Sequence, residues 1–129
     1  MTALPPYAEL LRLRVDMDDC GMPVFAMPFH DDVVGRPGYL HGGAIAGLLE
    51  FAAFVTLRQA LGERAAATAT KPINVTVDYM RAGLPRDTFA TGTIERLGGR
   101  IANVEAQAWQ KDRSEPIAAA QMNFLLVRD

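Results

Sequence analysis

From His41 to Arg58 the chain reads HGGAIAGLLEFAAFVTLR, and every position between those ends is apolar, small or a lone threonine, except Glu50. A helix half exposed to water shows a polar stripe at the 3.6-residue period, and none is present here. Leu40 to Arg58 therefore predicts a helix covered on all sides, ending by Gly62. The residues ALGERAAATATKP that follow read as a helix end and a connecting loop. The period then changes: Ile73, Val75, Val77 and Tyr79 alternate with Asn74, Thr76, Asp78 and Met80, the two-residue repeat of a strand. Residues 81–87 form a turn by their Gly and Pro. Strand-like runs begin again at Thr88, Arg100 and Pro116, separated by Gly98-Gly99 and by KDRSE, both short enough for antiparallel hairpins. One face of the second run carries Ala102, Val104, Ala106 and Ala108, small enough for a sheet to close tightly on a helix.

Upstream, Pro5 and Pro6 precede YAELLRLRV, which predicts a short surface helix over about residues 5–16 with a proline start. Pro23 to His30 is apolar and β-compatible, and its two prolines suit an edge strand. Asp31 to Tyr39 contains Gly-Arg-Pro-Gly and reads as the loop that delivers the chain to His41. The order is thus helix, edge strand, long buried helix, then four antiparallel strands. A flat four-stranded sheet cannot cover a helix that is apolar all round, so the pattern predicts an α+β fold in which a curled antiparallel sheet wraps the long helix, and a dimer that covers the rest.

Composition narrows the function classes. The chain has 129 residues, enough for one domain with a real core, and a formal charge of -2 with scattered basic residues, which leaves no nucleic-acid footprint. Cys20 is the one cysteine, so no intrachain disulfide forms and a reducing, cytoplasmic setting is expected. The first residues carry charges where an export signal needs an apolar run. The glycine-interrupted helix with its acid is not expected to span a membrane. His30, His41 and Cys20 lie far apart without metal-ligand spacing, so no metal is expected.

The long helix also carries the candidate chemistry. A carboxylate placed among apolar side chains either finds a partner or is tuned by desolvation toward acid–base work, which makes Glu50 the candidate general base. Gly42 and Gly43 fall where the first helical N–H groups lack internal partners, so a carbonyl oxygen developing negative charge could be received there. His41 suits a helix cap, with a direct chemical role as the alternative. Gly42 and Glu50 are roughly 11–12 Å apart along the axis at about 1.5 Å per residue. One atom cannot meet both, unless the substrate lies along the helix or a neighbouring subunit's helix start faces Glu50.

The pattern Gly38-x-x-His41-Gly42-Gly43, an apolar helix with an acid nine residues after the histidine, then Tyr79-Met80-Arg81 and Arg96-x-Gly98-Gly99-Arg100, resembles the hotdog-fold acyl-CoA thioesterases of the phenylacetate-type (PaaI-like) group. The similarity runs from about Pro23 to Val127. It implies hydrolysis of an acyl-coenzyme A at sites between the subunits of a homodimer or a dimer-of-dimers tetramer, with no cofactor, since coenzyme A belongs to the substrate. It also implies that Glu50 is base or nucleophile, that the Gly42 N–H with Gly43 beside it polarises the carbonyl, and that Arg81, Arg96, Gly99 and Arg100 meet the coenzyme. Two positions depart from the pattern. Gly35 stands where many relatives carry Asn or Gln, and Pro72 falls near a usual Ser or Thr, with Thr70 the nearest hydroxyl. A non-catalytic acyl-CoA-binding hotdog domain and an enoyl-thioester hydratase are the alternatives.

Overall fold

The computed structural model describes residues 4–128. Its elements are α1 (Pro6–Leu10), β1 (Arg14–Met17), β2 (Pro23–Met27), α2 (Gly42–Leu61), β3 (Thr68–Tyr79), β4 (Thr88–Leu97), β5 (Ile101–Trp109) and β6 (Ala118–Arg128). All six strands form one antiparallel sheet in the order β1-β2-β4-β5-β6-β3. The sheet curls around α2, the hotdog arrangement that the resemblance implies.

The wrapping follows from side-chain size. Along β5, Ala102, Val104, Ala106 and Ala108 are buried against the helix while Asn103, Glu105 and Gln107 face outward. Ala118, Ala120, Met122 and Phe124 do the same on β6. Leu48, Leu49, Ala52, Ala53 and Leu57 of α2 are fully enclosed by them. By length and composition α2 would pass as a membrane span, but 56% of that window is buried inside the protein, as in a core helix. At Gly92 on β4 the approach is closest: an added Cβ would lie 2.9 Å from Thr56 Cβ and 3.0 Å from the Ala52 carbonyl oxygen.

Three expectations are corrected by tertiary context. The N-terminal helix stops at Leu10 instead of about residue 16, because Arg12 adopts a left-handed φ of 59° and Arg14–Met17 then pairs with β2 as a strand. The β2 segment is an interior strand, flanked by β1 and β4, and ends at Met27. Its prolines permit this, since Pro23 opens the strand and Pro28 follows it. Strand β3 begins at Thr68, so residues 68–72 extend the sheet where a loop was expected. Pro72 is tolerated there because β3 is an edge strand and the register breaks between Pro72 and Asn74. The sheet leaves part of α2 uncovered within one chain, as the pattern predicts: Gly43, Ala46, Glu50 and Phe54 form a stripe that is exposed or half-buried.

Short polar clamps complete the frame. Arg58 donates to the Ala65 and Thr68 carbonyls at 2.6 Å each, tying the end of α2 to the start of β3. Asn103, Asn123 and Asn74 form a side-chain ladder across β5, β6 and β3 on the outer face. Between β1 and β2, the Asp18 carboxylate accepts the Met22 and Cys20 N–H groups, which holds its pKa below the usual carboxylate value. If the close approach at Gly92 governs how β4 meets the helix, Gly92→Ala should destabilise the fold by about 1–3 kcal/mol through overpacking. An unchanged urea midpoint for that variant would contradict this account.

Candidate active site

The start of α2 is held from three directions. The loop of residues 31–40 returns on itself through a bridge between Val34 and Leu40, and the His41 N–H donates to the Val33 carbonyl at 2.8 Å. Leu40 donates to the Gly83 carbonyl at 2.9 Å, and Gly83 must be a glycine, since an added Cβ would lie 2.7 Å from Leu40 Cδ1. The loop carrying Gly83 is in turn gripped by Gln110. Its Oε1 accepts the Leu84 N–H at 3.0 Å, while its Nε2 donates to the Leu84 and Arg86 carbonyls and to Thr88 Oγ1. Tyr79 closes the third side, its hydroxyl donating to the Gly42 carbonyl at 2.9 Å and its ring passing the open side of Gly42.

This frame sorts the expected donors. His41 is the N-cap residue, and its Nδ1 accepts the Gly43 N–H at 2.9 Å, which places the proton of the neutral ring on Nε2. The Gly43 N–H is thereby occupied. The Gly42 N–H has no partner among the described residues and lies at the positive end of a twenty-residue helix, a place where a free donor can meet negative charge.

Glu50 lies two turns further along the uncovered stripe, half-buried. Among the described residues it makes no ion pair and no side-chain hydrogen bond. It borders an apolar cavity of ≈ 290 Å³ between α1 and α2, with Phe51 and Phe54 beside it. Phe51 is fixed by an edge-to-face contact with Phe25, ring centroids 5.4 Å apart.

The expected coenzyme-binding residues do not converge within one chain. Arg81 follows β3 at the end of the sheet where Tyr79 pairs with Ala118, and its guanidinium donates to the Pro116 carbonyl at 2.6 Å. Arg96, Gly99 and Arg100 belong to the β4–β5 hairpin at the opposite end, where Ile101 pairs with Leu125. The length of β5 separates the two groups by roughly 25 Å at about 3.3 Å per residue. Gly99 is open to solvent, with no atom within 4 Å of a Cβ added there. Gly35 has no room for a side chain, because an added Cβ would lie 2.9 Å from His41 Cα. Pro72 lies at the rim of the Glu50 cavity. His30, expected at a strand end, instead has a buried ring whose Nε2 donates to the Leu11 carbonyl at 3.1 Å. Among the described residues no group of three or more His, Cys, Asp and Glu side chains could hold a metal ion.

Sequence reasoning missed the roles of Gln110 and Tyr79. Gln110 closes the strand-like run that begins at Arg100 and in the structure lies just past β5, so local pattern assigned it only a strand position, and the 81–87 loop folding over it reveals its use. Tyr79 stood in the strand pattern, but its bond to Gly42 spans elements that sequence alone does not join.

Residues 37–117 match the family described as the thioesterase superfamily. The chain belongs to this superfamily. A solved protein from Chromobacterium violaceum shares 38% identity over 95% of this chain and 83% of its own, with a TM-score of 0.74. A Bacillus halodurans protein solved with CoA superposes with a TM-score of 0.85 at 20% identity, covering 98% of this chain and 81% of that one. A phenylacetic acid degradation-related protein from Ralstonia eutropha JMP134 gives 0.81 at 17% identity, over 96% and 92%. No curated protein matches the sequence.

The His41 cap is testable apart from any chemistry. His41→Ala should lower stability by about 1 kcal/mol and His41→Asn, a strong N-cap residue, should recover most of it. Equal losses in the two variants, read by urea unfolding, would remove the cap from the account.

Proposed function

We propose that this member of the superfamily hydrolyses an acyl- or aryl-coenzyme A to the free acid and CoA, at sites shared between two copies of the chain. The observation that carries the reading is Glu50. It is the lone acid of an otherwise apolar helix, it has no ion-pair partner among the described residues, and it opens onto an apolar cavity. A carboxylate with no structural bond to satisfy is free to act on a substrate. The Bacillus halodurans relative holds CoA, which supports a coenzyme A thioester as the substrate class.

The chemistry follows from two groups of α2, the N–H at its start and the acid on the uncovered stripe. The Gly42 N–H receives the thioester oxygen as the carbonyl carbon becomes tetrahedral. Glu50 takes a proton from water as the water oxygen bonds to that carbon. The C–S bond then breaks, and the thiolate recovers the proton from Glu50 as CoA leaves. Direct attack by Glu50 differs only in placing an anhydride before the water. Because Gly42 and Glu50 of one helix are about 12 Å apart, the two groups that serve one carbonyl come from facing copies.

Strand β3 supports that pairing. It is a twelve-residue edge with Ile73, Val75 and Tyr79 exposed, a length and character that single chains avoid leaving open. Antiparallel joining of two β3 edges would bring Arg81 of one copy toward the Arg96–Arg100 end of the other, assembling the basic residues that one chain keeps apart. A cytoplasmic setting suits the exposed, unpaired Cys20.

Gly35, with no room for a polar side chain, and Pro72 favour a second reading, an acyl-CoA-binding domain without turnover. Thiol release from short-chain, long-chain and aryl acyl-CoAs separates the two. Wild type should release CoA, and Glu50→Gln, nearly isosteric, should lose about 10²-fold or more of that rate while folding normally. Binding without release by wild type would establish the second reading, and full turnover by the variant would remove Glu50 from the mechanism. In sedimentation, wild type should run as a dimer or tetramer, and Val75→Lys should shift it toward monomer with a parallel loss of turnover. A monomeric, active wild type would refute the shared site.

A further inference from the structure

The cavity beside Glu50 has a second wall that no catalytic role explains. Helix α1 packs across α2 by burying Ala8 and Leu11, but Tyr7 of the same turn stays 53% exposed. Its ring occupies a notch cut by Gly47, where an added Cβ would lie 2.6 Å from Tyr7 Cε2 and 3.2 Å from Leu11 Cδ1. Gly47 stands three residues before Glu50, so the two share a face of α2 one turn apart. Tyr7 therefore forms one wall of the cavity about one helical turn from the carboxylate.

Resting on the thioesterase reading above, we propose that Tyr7, seated in the Gly47 notch, is the residue that sets the size of the acyl group. The carbonyl carbon must lie beside Glu50, so the group attached to it extends into the adjoining cavity and stops at the Tyr7 ring. The ≈ 290 Å³ available is about twice the ~150 Å³ cavity that takes benzene, enough for a substituted ring or a short chain but not for an extended fatty chain. Among the described residues, the Tyr7 hydroxyl is the only polar side-chain group in the lining besides Glu50, and no lysine or arginine is among them. A neutral, compact acyl group fits; one with a charged far end would lose its hydration without a partner. Phe51 and Phe54 supply flat faces on which such a group packs.

The test uses thioethers that cannot be hydrolysed, so binding is read whether or not the protein turns over. S-benzyl-CoA, S-hexyl-CoA and S-dodecyl-CoA are titrated calorimetrically into wild type, Tyr7→Ala, Tyr7→Phe and Gly47→Ala, with thermal unfolding of each variant as the control for folding. Wild type should prefer the benzyl and hexyl compounds. Removing the ring should tighten S-dodecyl-CoA about tenfold, the worth of roughly two buried methylenes, and weaken S-benzyl-CoA. Gly47→Ala should displace Tyr7 and move the preference in the same direction, whereas Tyr7→Phe should keep the wild-type order. An unchanged length preference in Tyr7→Ala, or no preference in wild type, would overturn the proposal. Absence of thiol release from every acyl-CoA by wild type would refute the hydrolase reading alone, because the thioether series still reports the wall.

Discussion

A twenty-residue helix with one acid and almost no polar stripe must be covered, and that requirement shapes nearly everything else in this protein. Four long strands, with β2 and β1 added beyond β4, provide the cover by curling, and they can approach closely because their inner faces carry alanine, glycine and a few larger side chains. The cover stops short of the Gly43, Ala46, Glu50 and Phe54 stripe. Exposed apolar surface on a helix and an open sheet edge at β3 are both costly to leave against water, and they occur on the same molecule. Facing copies would remove both costs at once and would place the start of one helix opposite the acid of another.

The start of α2 shows how the fold prepares a donor. Helix formation leaves the first N–H groups without partners. His41 satisfies that of Gly43, and Tyr79, Leu40 and Gln110 fix the surrounding chain, so that the Gly42 N–H is the donor left over. The supporting contacts come from β3 and from the loops before β4 and after β5. A displacement in any of them would therefore be felt at Gly42, though none is near it in sequence.

Much of the fold was legible from periodicity. The long helix, the alternation in β3, the two later hairpins and the small-residue face of β5 each follow from local pattern, because side-chain spacing on a helix or strand is a property of the backbone alone. The errors fall where a distant partner overrides local preference. Residues 14–16 were expected at the end of the first helix, yet they serve as a strand because β2 offers them an edge. Residues 68–72 looked like a loop, yet β6 pairs with them along its full length.

Residue type and local spacing name one acid in an apolar helix and a His-Gly-Gly start, since burial cost and helix-end geometry are local matters, whereas the three arginines beside turns are singled out by the family resemblance. How these groups are disposed follows from long-range packing. It assigned the Gly43 N–H to His41, left Gly42 open, put Arg81 and Arg100 at opposite ends of the sheet, and seated Tyr7 over Gly47 beside Glu50. Those outcomes depend on contacts between residues tens of positions apart, which the wrapping of a sheet around a helix creates and no local pattern encodes.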